Sequence, residues 1–197
     1  MNQRSLLLGI DGLGGSGKTT YAHQLQQQLK HSIVVHLDDF IHMEKVRYNE
    51  DFEEWYGYYY LQWRYDYLID KLLAPLKNGL AIHEKIELYD KEMDSYIMQE
   101  IEIPVGTTVI VEGVFLQRPE LRAYFDRVIY LDVDRGTRLK RVINRDTYIG
   151  SSEEIVRKYN KRYFPAEDMY IAQCNPLALA DAVDHQVKER VFWNFRS

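Results

Sequence analysis

The chain has 197 residues and a formal net charge of −5, enough length for one α/β domain with a full core. With a pI near 5.7 it lacks the basic face of a general nucleic-acid binder, so no nucleic-acid partner is expected. The lone cysteine, Cys174, excludes an internal disulfide, and no apolar run is long enough for a signal peptide or a membrane span; a cytoplasmic protein with no membrane partner is expected. Leu6-Leu7-Leu8 with Ile10 predicts a first strand. It runs into Gly12, Gly17, Lys18 and Thr19, which satisfy the spacing G-x-x-x-x-G-K-[ST] of a phosphate-binding loop. Such a loop must aim consecutive backbone N–H groups inward, and its glycines supply the positive φ values and the missing Cβ atoms that this requires. Gly12, Gly14, Gly15, Ser16, Gly17, Lys18, Thr19 and Thr20 are therefore the candidate ATP-binding residues. Lys18 would meet the outer phosphates, Thr19 would offer a hydroxyl to Mg²⁺, and the helix that follows presents its positive end to the same anion.

Tyr21, Ala22, Leu25 and Leu29 recur at helical spacing, and Ile33 to Leu37 reads as a buried parallel strand ending in Asp38-Asp39-Phe40. Two adjacent acids cannot point the same way from an extended chain, so one of them faces the phosphates. From Tyr48 to Gly79 the chain is rich in Trp and Tyr, with Gly57 read as a break. Leu61, Tyr65, Leu68, Ile69, Leu72, Leu73 and Leu76 form a core face; Tyr59, Trp63, Tyr67, Asp66 and Asp70 form an opposite face suited to a flat, hydroxylated substrate or to packing. Residues 80–104 alternate polar and apolar side chains as an antiparallel hairpin insertion. Thr108 to Gly113 is a buried strand ending in Glu112, placed to reach Mg²⁺ directly or through water. Pro119 to Phe125 is a short helix and Val128 to Asp132 a fourth strand.

Residues 134–163 read as a helical lid. Arg135, Arg138, Arg141 and Arg145 form one stripe of its first helix, and Ser151-Ser152-Glu153-Glu154 is a capping box opening the second. Nine basic side chains stand against three acidic ones over 135–162, a local anion site; Lys161 and Arg162 belong to it or remain solvated at a helix end. Phe164 to Pro176 reads as a connector, Ala180 to Asp184 as a fifth strand, and Val191-Phe192-Trp193 as a tail packed on the body. The six scattered histidines read as surface or structural residues.

On the loop Gly12–Thr20, Asp38-Asp39-Phe40, Val111-Glu112-Gly113-Val114-Phe115 and the arginine-bearing segment through Arg145-Asp146, the chain resembles the uridine kinase family of P-loop kinases, a group that includes nicotinamide riboside kinases, phosphoribulokinases and bacterial pantothenate kinases. The resemblance runs from Leu6 to about Asp184. It implies a three-layer α/β P-loop NTPase fold over 1–197, with a five-stranded, mainly parallel sheet, the hairpin and the lid. It also implies that Asp38 is the catalytic base, that Glu112 assists Mg²⁺, that Arg141 and Arg145 are lid arginines acting with Lys18, and that Asp66 and Tyr89-Asp90 hold the substrate. Trp63 joins them from the aromatic face. The activity implied is transfer of the γ-phosphoryl group of ATP to a hydroxyl of a small molecule, a nucleoside such as uridine. A vitamin or sugar alcohol as acceptor stays open, as does an ATP- or GTP-dependent switch, although the guanine-reading Asn-Lys-x-Asp is missing. Exposed aromatics permit a homodimer.

Overall fold

The computed structural model describes residues 4–185. Five parallel strands, β1 (Leu6–Gly12), β2 (Ser32–His36), β5 (Thr108–Gly113), β6 (Arg127–Leu131) and β7 (Ala182–Asp184), form a sheet in the order β2-β5-β1-β6-β7. β3 (Ile82–Asp90) and β4 (Ser95–Ile103) pair antiparallel as a separate hairpin. The helices are α1 (Lys18–Gln28), α2 (Glu44–Arg47), α3 (54–61), α4 (65–77), α5 (Pro119–Arg122), α6 (Arg135–Arg145), α7 (152–174) and α8 (Pro176–Leu179).

The central strands are almost wholly apolar because helices cover both of their faces. Alternation along each strand then sorts the side chains. Leu7, Val109, Val111, Val128 and Tyr130 point to the larger core, with Phe40, Leu68, Leu72, Leu73, Leu76 and Phe115. Leu8, Ile10, Ile110, Ile129 and Leu131 point the other way, against Ala22 and Leu25 of α1. A third cluster, Val142, Ile155, Tyr159 and Phe164, joins α6 to α7. The register sets Ile10 beside Glu112 and Glu112 beside His36, so three strands end together at one crevice.

Several expectations are corrected. Gly57 does not break the chain; it lies inside α3, where a Cβ would collide with the Arg47 carbonyl, so it serves close approach of α2 and α3. Tyr59 (1% exposed) and Trp63 (6%) belong to the core and not to an open face. The Trp63 ring packs edge-on to Phe115 and parallel to Tyr65. Phe164 to Pro176 is no connector, since α7 continues to Cys174. Pro165 lacks an N–H and would clash with the carbonyl four residues back; the turn Tyr159–Tyr163 widens to π spacing just before it and absorbs the misfit. Arg162 is not solvated but 1% exposed, donating to the Arg47 and Glu54 carbonyls and to Gln62 Oε1. The capping box at Ser151 and Glu154 forms as read. Val191-Phe192-Trp193 lies outside the described residues.

The back of the sheet carries a stabilising cluster away from the crevice. Asp126 accepts from Arg4 (2.7 and 2.9 Å), from Lys77 (2.8 Å) and from the Leu7 amide (2.9 Å). Burial alone would raise its pKa, but these donors outweigh it and hold the carboxyl well below the usual range. A depressed folded-state pKa adds stability that is present above the unfolded value, about 4, and is lost as pH falls towards the folded one. Asp126→Asn is therefore expected to cost about 1–3 kcal/mol at neutral pH. Urea unfolding at pH 7 and pH 3 checks this: the gap between variant and wild type should shrink at pH 3, and an equal gap at both would refute the linkage.

Candidate active site

The loop between β1 and α1 takes the shape its glycines allow. Gly12, Gly15 and Gly17 have φ of +155°, +80° and +97°. A Cβ on Gly12 would lie 2.7 Å from Ser16 Oγ, and one on Gly15 would lie 2.9 Å from the Arg138 carbonyl. α1 has no side-chain cap and no acid in its first turn, so its N-terminal N–H groups are left for another acceptor. Ser16 is fully buried and its hydroxyl has no partner among the described residues, an orphaned polar atom of the sort a bound phosphate would satisfy. Thr19 and Thr20 lie exposed in the first turn of α1.

Lys18 folds back on the loop, its Nζ donating to the Leu13 carbonyl at 3.2 Å. Burial lowers its pKa, against the pull of Glu112, Asp38, Asp11 and Glu167. Four carboxylates thus act electrostatically on one ammonium. Glu112, 6% exposed, accepts from Thr19 Oγ1 at 3.1 Å and lies 2.7 Å from His36 Nδ1. Burial pushes Glu112 up, but His36, Lys18 and Thr19 outweigh it and leave the pKa lowered. The same contact raises His36.

Asp38 and Asp39 fall in the 3₁₀ turn Leu37–Asp39 just past β2. Asp38 is crowded by protein groups yet its side chain is exposed to solvent. Its pKa is raised, first by burial and then by Glu112, while Lys18, Arg145 and His36 oppose the rise. Asp39 is half-buried and also raised, chiefly by burial.

The predicted arginines divide. Arg141 donates to the Gly15 and Ser16 carbonyls at 3.3 and 3.1 Å, which seats α6 on the loop. Arg145, with a largely exposed side chain, lies within electrostatic reach of Asp38 and is held on Asp146 at 2.6 and 3.1 Å. Arg138 leaves the stripe to form a buried pair with Glu167, and Arg135 pairs with Asp168.

The predicted substrate-holding residues do not assemble. Trp63 is packed in the core. Asp66 is exposed in the first turn of α4. The Tyr89 hydroxyl is already engaged, accepting from Arg47 at 2.6 Å and donating to Asp94 at 2.8 Å, and Asp90 accepts the Glu92 and Met93 amides in the hairpin turn. Tyr89 and Asp94 clasp the hairpin to α2, because Arg47 of that helix donates to Tyr89 and the Glu44 amide at its start donates to Asp94.

Asp11, His36 and Glu167 were missed. Only His36 left a local signal, since it closes the apolar strand β2 two residues before Asp38. Asp11 is fully buried and accepts from the Gly12 amide, Gln117 and Tyr170. Burial nevertheless raises its pKa.

A parallel sheet ending in a glycine loop, a lysine and an uncapped helix defines a P-loop nucleoside triphosphate-binding protein. The sequence profile of the Phosphoribulokinase / Uridine kinase family matches residues 7–190, and the chain belongs to that family. It is a kinase of a small molecule, a phosphotransferase with an alcohol acceptor. The uridine kinase of Staphylococcus aureus (strain JH9) is 30% identical over 171 residues, covering 84% of this chain and 81% of that one. A solved structure described as a possible uridine kinase from Bacillus stearothermophilus is 35% identical with a TM-score of 0.74, covering 93% of this chain and 90% of that one. A putative fructose transport system kinase from Silicibacter sp. TM1040 (21% identical, TM-score 0.70, covering 92% and 90%) shares the fold. Among the described residues, no helix is long and apolar enough to cross a membrane.

Proposed function

We propose that this chain transfers the γ-phosphoryl group of ATP to a hydroxyl of a small molecule, with a nucleoside as the acceptor class that its relatives' names favour. The observation that carries the reading is the convergence, at the carboxyl ends of β1, β2 and β5, of Lys18, the Thr19–Glu112 pair and Asp38. Phosphoryl transfer needs positioning and neutralisation of charge more than covalent chemistry, and these residues supply both. Asp38 orients the acceptor hydroxyl and takes its proton. Lys18 and the loop amides hold the outer phosphates, and Arg141 and Arg145 add charge from α6. The Thr19 hydroxyl and Glu112 carboxylate are hard oxygen donors, as Mg²⁺ prefers, and a cation that also takes phosphate and water ligands needs few from protein. When bound, Mg²⁺ would neutralise charge on the β- and γ-phosphates. His36 keeps Glu112 oriented through its 2.7 Å contact.

A vitamin or sugar alcohol as acceptor is a second reading with its own support: Trp63 and Tyr59 are consumed by the core and the Tyr89 hydroxyl by the hairpin clasp, so the expected stacking face for a base is missing. ADP release from Mg·ATP, scanned over nucleosides, nicotinamide riboside, pantothenate, pentoses and sugar phosphates, tests both. Stimulation by one acceptor, with its phosphorylated product seen by mass, supports the transfer reading and identifies the acceptor. ATP binding with slow hydrolysis that no acceptor changes would favour a nucleotide-dependent switch.

A further inference from the structure

Glu167 and Tyr170 lie three residues apart on α7, hence on one face, and that face runs along the phosphate loop. Glu167, 1% exposed, accepts the Gly14 amide through Oε1 at 2.8 Å. Arg138 of α6, 2% exposed, donates from Nη1 to both Glu167 oxygens (3.1 and 2.9 Å) and to the Gly14 carbonyl (3.0 Å). The two polar groups of one loop glycine are thus gripped by opposite members of one buried ion pair. Tyr170 donates to Asp11 Oδ2, and Asp11 Oδ1 accepts the Gly12 amide at 2.8 Å. One helix therefore reaches the loop at two points, Gly14 directly and Gly12 through Asp11.

Packing alone does not account for this arrangement. A carboxylate beside a phosphate site opposes anion binding unless it is neutralised, and a buried ion pair is a weak source of stability compared with apolar side chains of similar volume. The pattern of amides gives it a use. The N–H groups of Gly12, Gly14 and Ser16 are committed to Asp11, Glu167 and the Leu13 carbonyl. Those of Gly15, Gly17, Lys18 and Thr19 have no such acceptor among the described residues. The first set fixes the loop's shape and leaves the second set for phosphate oxygens.

We propose that the Glu167–Arg138 pair and the Tyr170–Asp11 contact form a splint through which α7 holds the phosphate loop in its nucleotide-binding shape, which makes Glu167 and Tyr170 positioning residues. This rests on the reading of the loop as an ATP site. Calorimetric titration of ATP and ADP onto the full chain, with thermal melts of each ligand-free variant, tests it. Glu167→Ala is expected to weaken ATP binding by about tenfold or more as the Gly14 amide loses its acceptor. Glu167→Gln still offers an oxygen to Gly14, so it should restore ATP affinity to near wild type although its Tm falls because Arg138 loses its counter-charge. Tyr170→Phe keeps the ring and removes only the hydroxyl; a loss of about three- to tenfold in ATP affinity is expected. If the Glu167→Ala protein does not fold, Tyr170→Phe and Glu167→Gln decide the matter. Variants that melt earlier but bind ATP with wild-type Kd would show a purely structural role and overturn the proposal. A wild-type chain that binds neither nucleotide would overturn the reading of the loop itself, a failure visible before any variant is made.

Discussion

Asp38→Asn is expected to reduce kcat by about 10²-fold or more while ATP affinity stays near the wild-type value, because the amide keeps the size of the carboxylate and cannot take a proton. The surroundings of Asp38 explain why the effect falls on the chemical step. It lies past the end of β2, outside the loop that would hold the phosphates, so ATP binding does not depend on it. Burial and Glu112 raise its pKa while Lys18, Arg145 and His36 restrain the rise, which moves the group towards the range where a general base works best. Asp39 is the built-in control. It is the next residue, half-buried and raised by the same kind of burial, yet His36 and not Lys18 is the cation that tempers it. Steady-state kinetics of Asp38→Asn and Asp39→Asn with the best acceptor from the ADP-release panel would separate the two. Full turnover in Asp38→Asn with loss in Asp39→Asn would move the base one residue along; full turnover in both would remove a carboxylate base from the mechanism.

The parts of the site that the sequence made legible are those whose chemistry is local. The loop declares itself because glycine spacing, lysine and threonine all lie within eight residues after one apolar strand. Asp38 and Glu112 could be placed because each closes an apolar run, and in a parallel sheet such ends gather at one crevice. The clamp around the loop was not legible: Gly14 and Glu167 are 153 residues apart and Asp11 and Tyr170 are 159 apart, and no spacing rule links them. The aromatic segment misled for a different reason. Reading Tyr59 to Leu76 as one regular helix assumes 3.6 residues per turn throughout, but the chain leaves the helix between α3 and α4, and the turns Gly57–Leu61 and Ile69–Leu73 have π spacing. A π turn adds a residue and so shifts the phase of the helix; Tyr59 lies within the first such turn and Trp63 in the break that follows it, and both are buried in the core. The expected face for substrate then disappears. Pro165 misled in the same direction, because a π turn let a helix continue where proline usually ends one.

Lys18→Ala should damage both ATP binding and turnover, with kcat/KM expected to fall by about 10³-fold or more, since the residue serves the ground state and the developing charge together. The size of the effect follows from what remains after the change. Lys18 is the cation pulled on by Glu112, Asp38, Asp11 and Glu167 at once, and Arg138 is already occupied by Glu167. Without the ammonium, Glu112, Asp38, Asp11 and Glu167 would be balanced near the phosphates only by the α6 arginines, and the lost positive charge would weaken every bound state. Lys18→Arg is not expected to rescue. The ammonium is a compact point charge held on the Leu13 carbonyl, whereas a planar guanidinium presents its donors in a fixed fork of different reach. Titration of ATP onto both variants, followed by turnover at saturating ATP, would divide the loss into its binding and chemical parts. A Lys18→Ala protein that binds and turns over ATP like the wild type would mean that the phosphates do not lie along this loop. The roles given to Thr19, Glu112 and Asp38 would fall with it, because each was placed by its position at the same crevice.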